Sequence, residues 1–132
     1  MKSDDDAKLR KLGVAIVYLF GSKAAGTSTP TSDTDIGVVL KEPAAAENAI
    51  VLYNALYDLF AERYPNSTID LVFLQSAPLP LQYYAVRDGM ILFEADAAIA
   101  SDYAAYVING YLDFKPLLEY IDKISTERYT RV

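Results

Sequence analysis

Gly21-Ser22-Lys23-Ala24-Ala25-Gly26-Thr27-Ser28-Thr29-Pro30-Thr31-Ser32-Asp33-Thr34-Asp35 lies between two apolar runs and decides how the rest of the chain is read. Before it, Val14-Ala15-Ile16-Val17-Tyr18-Leu19-Phe20 is a β-branched and aromatic run of the kind that makes a strand buried on both faces. After it, Ile36-Gly37-Val38-Val39-Leu40 carries a second strand straight out of the Asp-Thr-Asp. Strand side chains alternate faces, so Asp33 and Asp35 share one face while Thr34 and Ile36 take the other. Two carboxylates this close repel each other unless a cation or a shared proton lies between them. The Gly21-Ser22 turn adds free backbone N–H groups at what reads as the start of a short helix, which suits phosphate. Phosphate on one side and a divalent metal on the other imply a nucleoside triphosphate.

The glycine spacing from Gly21 to Gly26 also fits a P-loop, but Thr27 stands where that motif needs its lysine, so the P-loop reading fails. A Gly/Ser/Thr/Pro segment is most often a plain connection; the two aspartates at its exit favour the functional reading.

The chain has 132 residues, 52% of them hydrophobic, which suits one domain with its own core and is too short for two. No run approaches the roughly 20 apolar residues that span a bilayer, and there is no N-terminal secretory pattern, so a cytoplasmic location is expected. Cysteine and histidine are both absent. That excludes disulfides, thiolate nucleophiles, Ser-His triads and zinc sites built on Cys or His. Catalysis is left to carboxylates, Lys, Tyr, Ser or a hard, oxygen-ligated ion such as Mg²⁺ or Mn²⁺. The net charge of −6 argues against direct nucleic-acid binding and suits a basic protein partner.

Ser3 to Leu12 reads as a short helix, with Asp4, Asp5 and Asp6 in the first turn, bases in the last and Gly13 as its stop. Capping explains the Asp triplet better than a metal site does. Pro43 to Tyr64 reads as a helix whose core stripe is Ala49, Leu52, Tyr53, Leu56, Leu59 and Phe60. Thr68 to Leu74 reads as a third strand, and Asp70 is its only charge. A carboxylate buried among apolar residues calls for a cation or a hydrogen-bonding cage, so Asp70 is expected to join Asp33 and Asp35 rather than sit at an exposed strand end. Pro78 to Asp88 reads as a helix ended by Gly89, and Met90 to Phe93 as a last strand. Arg87 could reach a triphosphate, though a base at a helix C-terminus is the more ordinary role. From about residue 96 to 126 helical spacing resumes, and Gly110 or Pro116 is expected to bend or divide that segment. Among the eleven tyrosines, Tyr83, Tyr84, Tyr103, Tyr106, Tyr111 and Tyr120 lie late in the chain, where core packing and a protein interface explain them equally well.

Three carboxylates on neighbouring strands, without nitrogen or sulfur ligands, would bind one or two Mg²⁺ ions through Asp33, Asp35 and Asp70. Asp70 is placed to accept the proton of an attacking hydroxyl. Gly21 and Ser22 would hold the β- and γ-phosphates, with Lys23 as an added cation.

The Gly-Ser turn followed at this spacing by Asp-x-Asp resembles the signature of nucleotidyltransferases with the polymerase-β type of catalytic domain. The short chain, a third aspartate in Ile69-Asp70-Leu71-Val72, and Tyr111-Leu112-Asp113-Phe114-Lys115-Pro116-Leu117 resemble the minimal nucleotidyltransferase (MNT) antitoxins that accompany HEPN toxins in prokaryotes. The resemblance implies an α+β nucleotidyltransferase fold with a mixed central sheet flanked by helices. It also implies ATP as substrate and transfer of AMP to a tyrosine hydroxyl of a cognate HEPN toxin, which forms a hetero-oligomer with the chain and is silenced. Many relatives have arginine where this chain has Ala25, so one cation near the phosphates is absent or replaced by Lys23. Two other readings remain open: a non-catalytic antitoxin that works by covering its toxin, and transfer to a small molecule such as an aminoglycoside.

Overall fold

The computed structural model describes residues 3–21, 33–42 and 46–130. Among these residues four strands form one sheet in the order β3-β2-β1-β4, with β1 at Val14–Phe20, β2 at Thr34–Leu40, β3 at Ile69–Phe73 and β4 at Met90–Glu94. β1 pairs antiparallel with both β2 and β4, whereas β2 and β3 run parallel, so the sheet is mixed. Every residue of β1 is buried, as its unbroken apolar composition requires of a central strand covered on both faces.

Helices cover the two faces. α1 (Ser3–Lys11) and α2 (Ala46–Arg63) lie on one side, where Leu9, Leu56, Leu59 and Phe60 pack against Val17, Leu19, Ile36 and Val38. α1 has three acids in its first turn and three bases in its last, the arrangement its dipole favours, and Gly13 ends it at φ 81°. Arg10 then reaches across to β4, donating to the Ala95 carbonyl at 3.0 Å with its guanidinium over the Phe93 ring. α2 supplies the long crossover that a parallel β2–β3 pair needs.

The opposite face carries a 3₁₀ turn (Leu74–Ser76), α3 (Leu79–Asp88) and α4 (Ala97–Thr130). Ile16, Tyr18, Phe20 and Val39 meet Leu74, Ala85 and Ala100 there. Gly37 lies where Leu74 crosses β2: a Cβ on Gly37 would come within 2.8 Å of Leu74 Cδ1. Gln82, expected on no core face, is buried on α3; it donates to the Ala77 carbonyl at 2.9 Å and accepts from the Tyr103 hydroxyl of α4 at 2.7 Å.

α4 departs from the expectation. It runs unbroken through Gly110 and Pro116 to Thr130, so neither residue divides it. Proline removes a single intrahelical N–H donor, and Pro116 is exposed, where water can satisfy the freed carbonyl. The start expected for α2 at Pro43 lies outside the described residues. Among the described residues no helix is long and apolar enough to cross a membrane.

Candidate functional site

The candidate site lies at one end of the sheet, where β1 ends and β2 begins. Thr34 is wholly buried and Ile36 packs in the α1/α2 core, so the alternation of β2 turns Asp35 to the opposite face. The Thr34 hydroxyl shares a 2.6 Å hydrogen bond with Ser67 Oγ, and its backbone N–H donates to the Thr68 carbonyl at 2.8 Å. These bonds tie the start of β2 to the start of β3 and fix the register there. In that register Asp35 stands directly beside Asp70 on the parallel strand and opposite Phe20 on β1.

Asp35 is half-buried, and its carboxyl is raised above the usual carboxylate range. Burial is the largest cause, followed by the charge of Asp70 and its hydrogen-bonding contact, then by the charge of Asp33. The charges acting on it are both negative, so nothing in that set offsets the repulsion. Asp33 is exposed, just ahead of β2. Asp70 is exposed too, contrary to the burial expected for it. β3 is an edge strand, and its Asp70 face at this end opens toward the site; the partly buried acid is Asp35. Among the described residues no three acidic side chains form a closed metal-ligand group.

Gly21 completes the described part of the site. Its φ is 74°, in the left-handed region, and a Cβ there would overlap Asp35 Oδ2 and lie 3.1 Å from its Cγ. The residue is glycine both because the turn needs that φ and because the Asp35 carboxylate occupies the space a side chain would fill. Ser22, Lys23 and Ala25 lie outside the described residues.

α3 ends at the same edge. Gly89, just past its last turn, lies against the Leu19 carbonyl, and Tyr84 meets the Phe20 ring edge-on at 6.2 Å. Arg87 stands over the Tyr83 and Tyr84 rings at 5.5 and 6.0 Å and pairs with Asp88 at 2.7 Å. It is the base near a helix C-terminus that the sequence suggested, already engaged by a neighbouring acid. The positioning role of Thr34 leaves no periodic signal in a sequence, because a hydrogen bond across the sheet depends on which residue comes to lie opposite.

A cleft of about 630 Å³ opens at the opposite end of the sheet, lined by residues such as Lys11, Lys41, Glu42 and Val51; it contains a single carboxylate and none of the paired acids.

A polymerase-β nucleotidyltransferase model matches residues 7–98, well over half of the chain. No curated protein matches the sequence significantly. Among solved structures, a chain of a toxin–antitoxin with AMP-PNP is 26% identical at a TM-score of 0.70, the match covering 94% of this chain and 99% of that one. A chain of a mutant MntA-HpeT toxin–antitoxin is similar at 26% identity and a TM-score of 0.70, covering 95% and 98%. A chain of the tri-AMPylated Shewanella oneidensis HEPN toxin in complex with MNT antitoxin matches at 24% identity and a TM-score of 0.62, covering 95% and 99%; that likeness shows the fold.

Proposed function

The chain belongs to the polymerase-β nucleotidyltransferase family, and from that premise we propose that it is an antitoxin that transfers AMP from ATP to a tyrosine hydroxyl of a HEPN toxin. The observation that carries the reading is the Asp35–Asp70 pair on adjacent strands, with the Asp35 carboxylate packed directly against the Gly21 turn. AMP-PNP in one similar toxin–antitoxin and the AMPylated toxin in another support the choice of nucleotide and acceptor.

The donor set fits a hard divalent ion. It offers carboxylate oxygens alone, and Asp35 is held above its ordinary pKa by burial and by two like charges that a cation would offset. Asp33, Asp35 and Asp70 would hold Mg²⁺ or Mn²⁺, which supplies charge neutralisation for the triphosphate and a lower pKa for the attacking hydroxyl. Gly21, with Ser22 and Lys23 after it, binds the β- and γ-phosphates so that the α-phosphorus faces the acceptor. The tyrosine oxygen bonds to that phosphorus, the bond to the bridging oxygen breaks, and pyrophosphate leaves. Asp70, the exposed member of the pair, takes the tyrosine proton, while Asp35 remains ionised and in place.

The deciding experiment mixes the wild-type chain, or Asp33→Asn/Asp35→Asn, with the co-encoded HEPN protein, ATP and Mg²⁺, followed by intact-protein mass spectrometry of the partner. Gain of AMP masses with the wild type alone is expected. No gain, with the toxin neutralised equally by both versions, would instead establish an antitoxin that acts by covering its partner.

A further inference from the structure

α4 carries an apolar stripe longer than the domain that packs on it. Tyr103, Val107 and Gly110 begin it, and Phe114, Leu117, Ile121 and Ile124 continue it, each step alternating four residues and three. That alternation keeps one seam on one side of a helix and is the pattern by which helices pack along each other.

The first half of the seam is already filled by a helix. Tyr103 bonds to Gln82 of α3, Val107 is fully buried, and a Cβ on Gly110 would lie 3.6 Å from the Leu79 side chain at the start of α3. Beside it the Tyr83 and Tyr111 rings stack at 3.9 Å. α3 begins at Leu79 and offers nothing further. Past that point Phe114, Leu117 and Ile121 are 53%, 51% and 48% exposed, with Tyr120 beside them at 61%. The stretch from Phe114 to Ile124 rises about 15 Å, roughly three turns.

We infer that this uncovered seam docks an amphipathic helix of the chain's HEPN protein partner, laid end to end with α3. The occupant is a helix because the same seam, one turn earlier, accepts a helix, and because its spacing matches helix ridges rather than an extended peptide. It is a basic partner rather than a second copy: each chain carries a net charge of −6, so two copies would meet with like charge, whereas a basic protein is drawn in. The inference rests on the proposed function only in assuming a protein partner.

The test uses the full chain with Leu117→Glu/Ile121→Glu, both at exposed positions, so that circular dichroism and thermal melting should match the wild type. Titration calorimetry and light-scattering chromatography with the co-encoded HEPN protein, without ATP, should show a complex for the wild type and at least ~100-fold weaker binding for the variant. Asp35→Asn should bind like the wild type, so a failed transferase reading leaves this one standing. Equal binding by the seam variant, or no wild-type complex at all, would overturn it. So would a wild-type homodimer that the variant dissolves while toxin binding is unchanged, which would assign the seam to a second copy.

Discussion

Asp35 is the residue on which site and stability meet. Its carboxyl is raised from the ordinary 3.8 by burial, then by Asp70 and Asp33, so the folded state holds this proton more tightly than the unfolded chain does. Stability of the ion-free protein therefore falls as pH rises from the ordinary carboxylate value through the raised one, because folding then has to bury an ionised group. Asp35→Asn should stabilise the ion-free protein at pH 7, by no more than about 1 kcal/mol of unfolding free energy once solvent screening is allowed for. The gain should fade below pH 4, and thermal scans across pH measure it. Adding Mg²⁺ should stabilise the wild type and leave the variant unmoved, while AMP transfer by the variant falls by ~10³-fold or more. Gly21→Ala tests the other half of the contact. A left-handed φ costs a β-carbon about 1–2 kcal/mol, and the overlap would also push Asp35 aside. Urea melts should show that loss, and initial rates should fall by at least ~100-fold.

At the scale of elements, the two ends of β2 are held by different bonds and should separate stability from activity. At the Leu40 end, Gln75 uses its side-chain amide as a strand would, accepting from the Leu40 N–H and donating to the Leu40 carbonyl, both at 2.8 Å. Gln75→Ala leaves both groups unpaired and should cost about 1–3 kcal/mol with turnover nearly unchanged, since the site is at the far end of the strand. At the Thr34 end, Thr34→Val removes the bond to Ser67 beside the aspartates. It should cost about 1 kcal/mol yet lower kcat several-fold by loosening the register of Asp35 on Asp70. Denaturant curves and kcat measured on the same two variants check the opposite ranking.

On the whole molecule, the charge of −6 and the exposed seam of α4 act at different stages of one encounter. Charge steers approach, and apolar contact holds the complex. Raising the salt from about 50 to 500 mM should slow association with the HEPN protein by roughly tenfold and leave dissociation nearly unchanged, as stopped-flow mixing would record. Much of this molecule follows from local sequence. The buried run of β1 settles the centre of the sheet, the Asp-Thr-Asp alternation puts Asp35 on the face opposite Thr34 and Ile36, and the capping charges and Gly13 set the ends of α1, because these are properties of neighbours in the chain. The family was legible for the same reason, since its motif is a short turn followed by a strand. The partner strand of Asp35, the exposure of Asp70, the need for glycine at 37 and the bonds made by Gln75 and Gln82 were not legible. Each depends on which residue comes to lie beside another after a long excursion of the chain, and neither spacing nor composition records that. Nor did spacing show where α4 would stop being covered: its stripe continues at the same period throughout, and only the place where α3 begins decides which half is core and which is open surface.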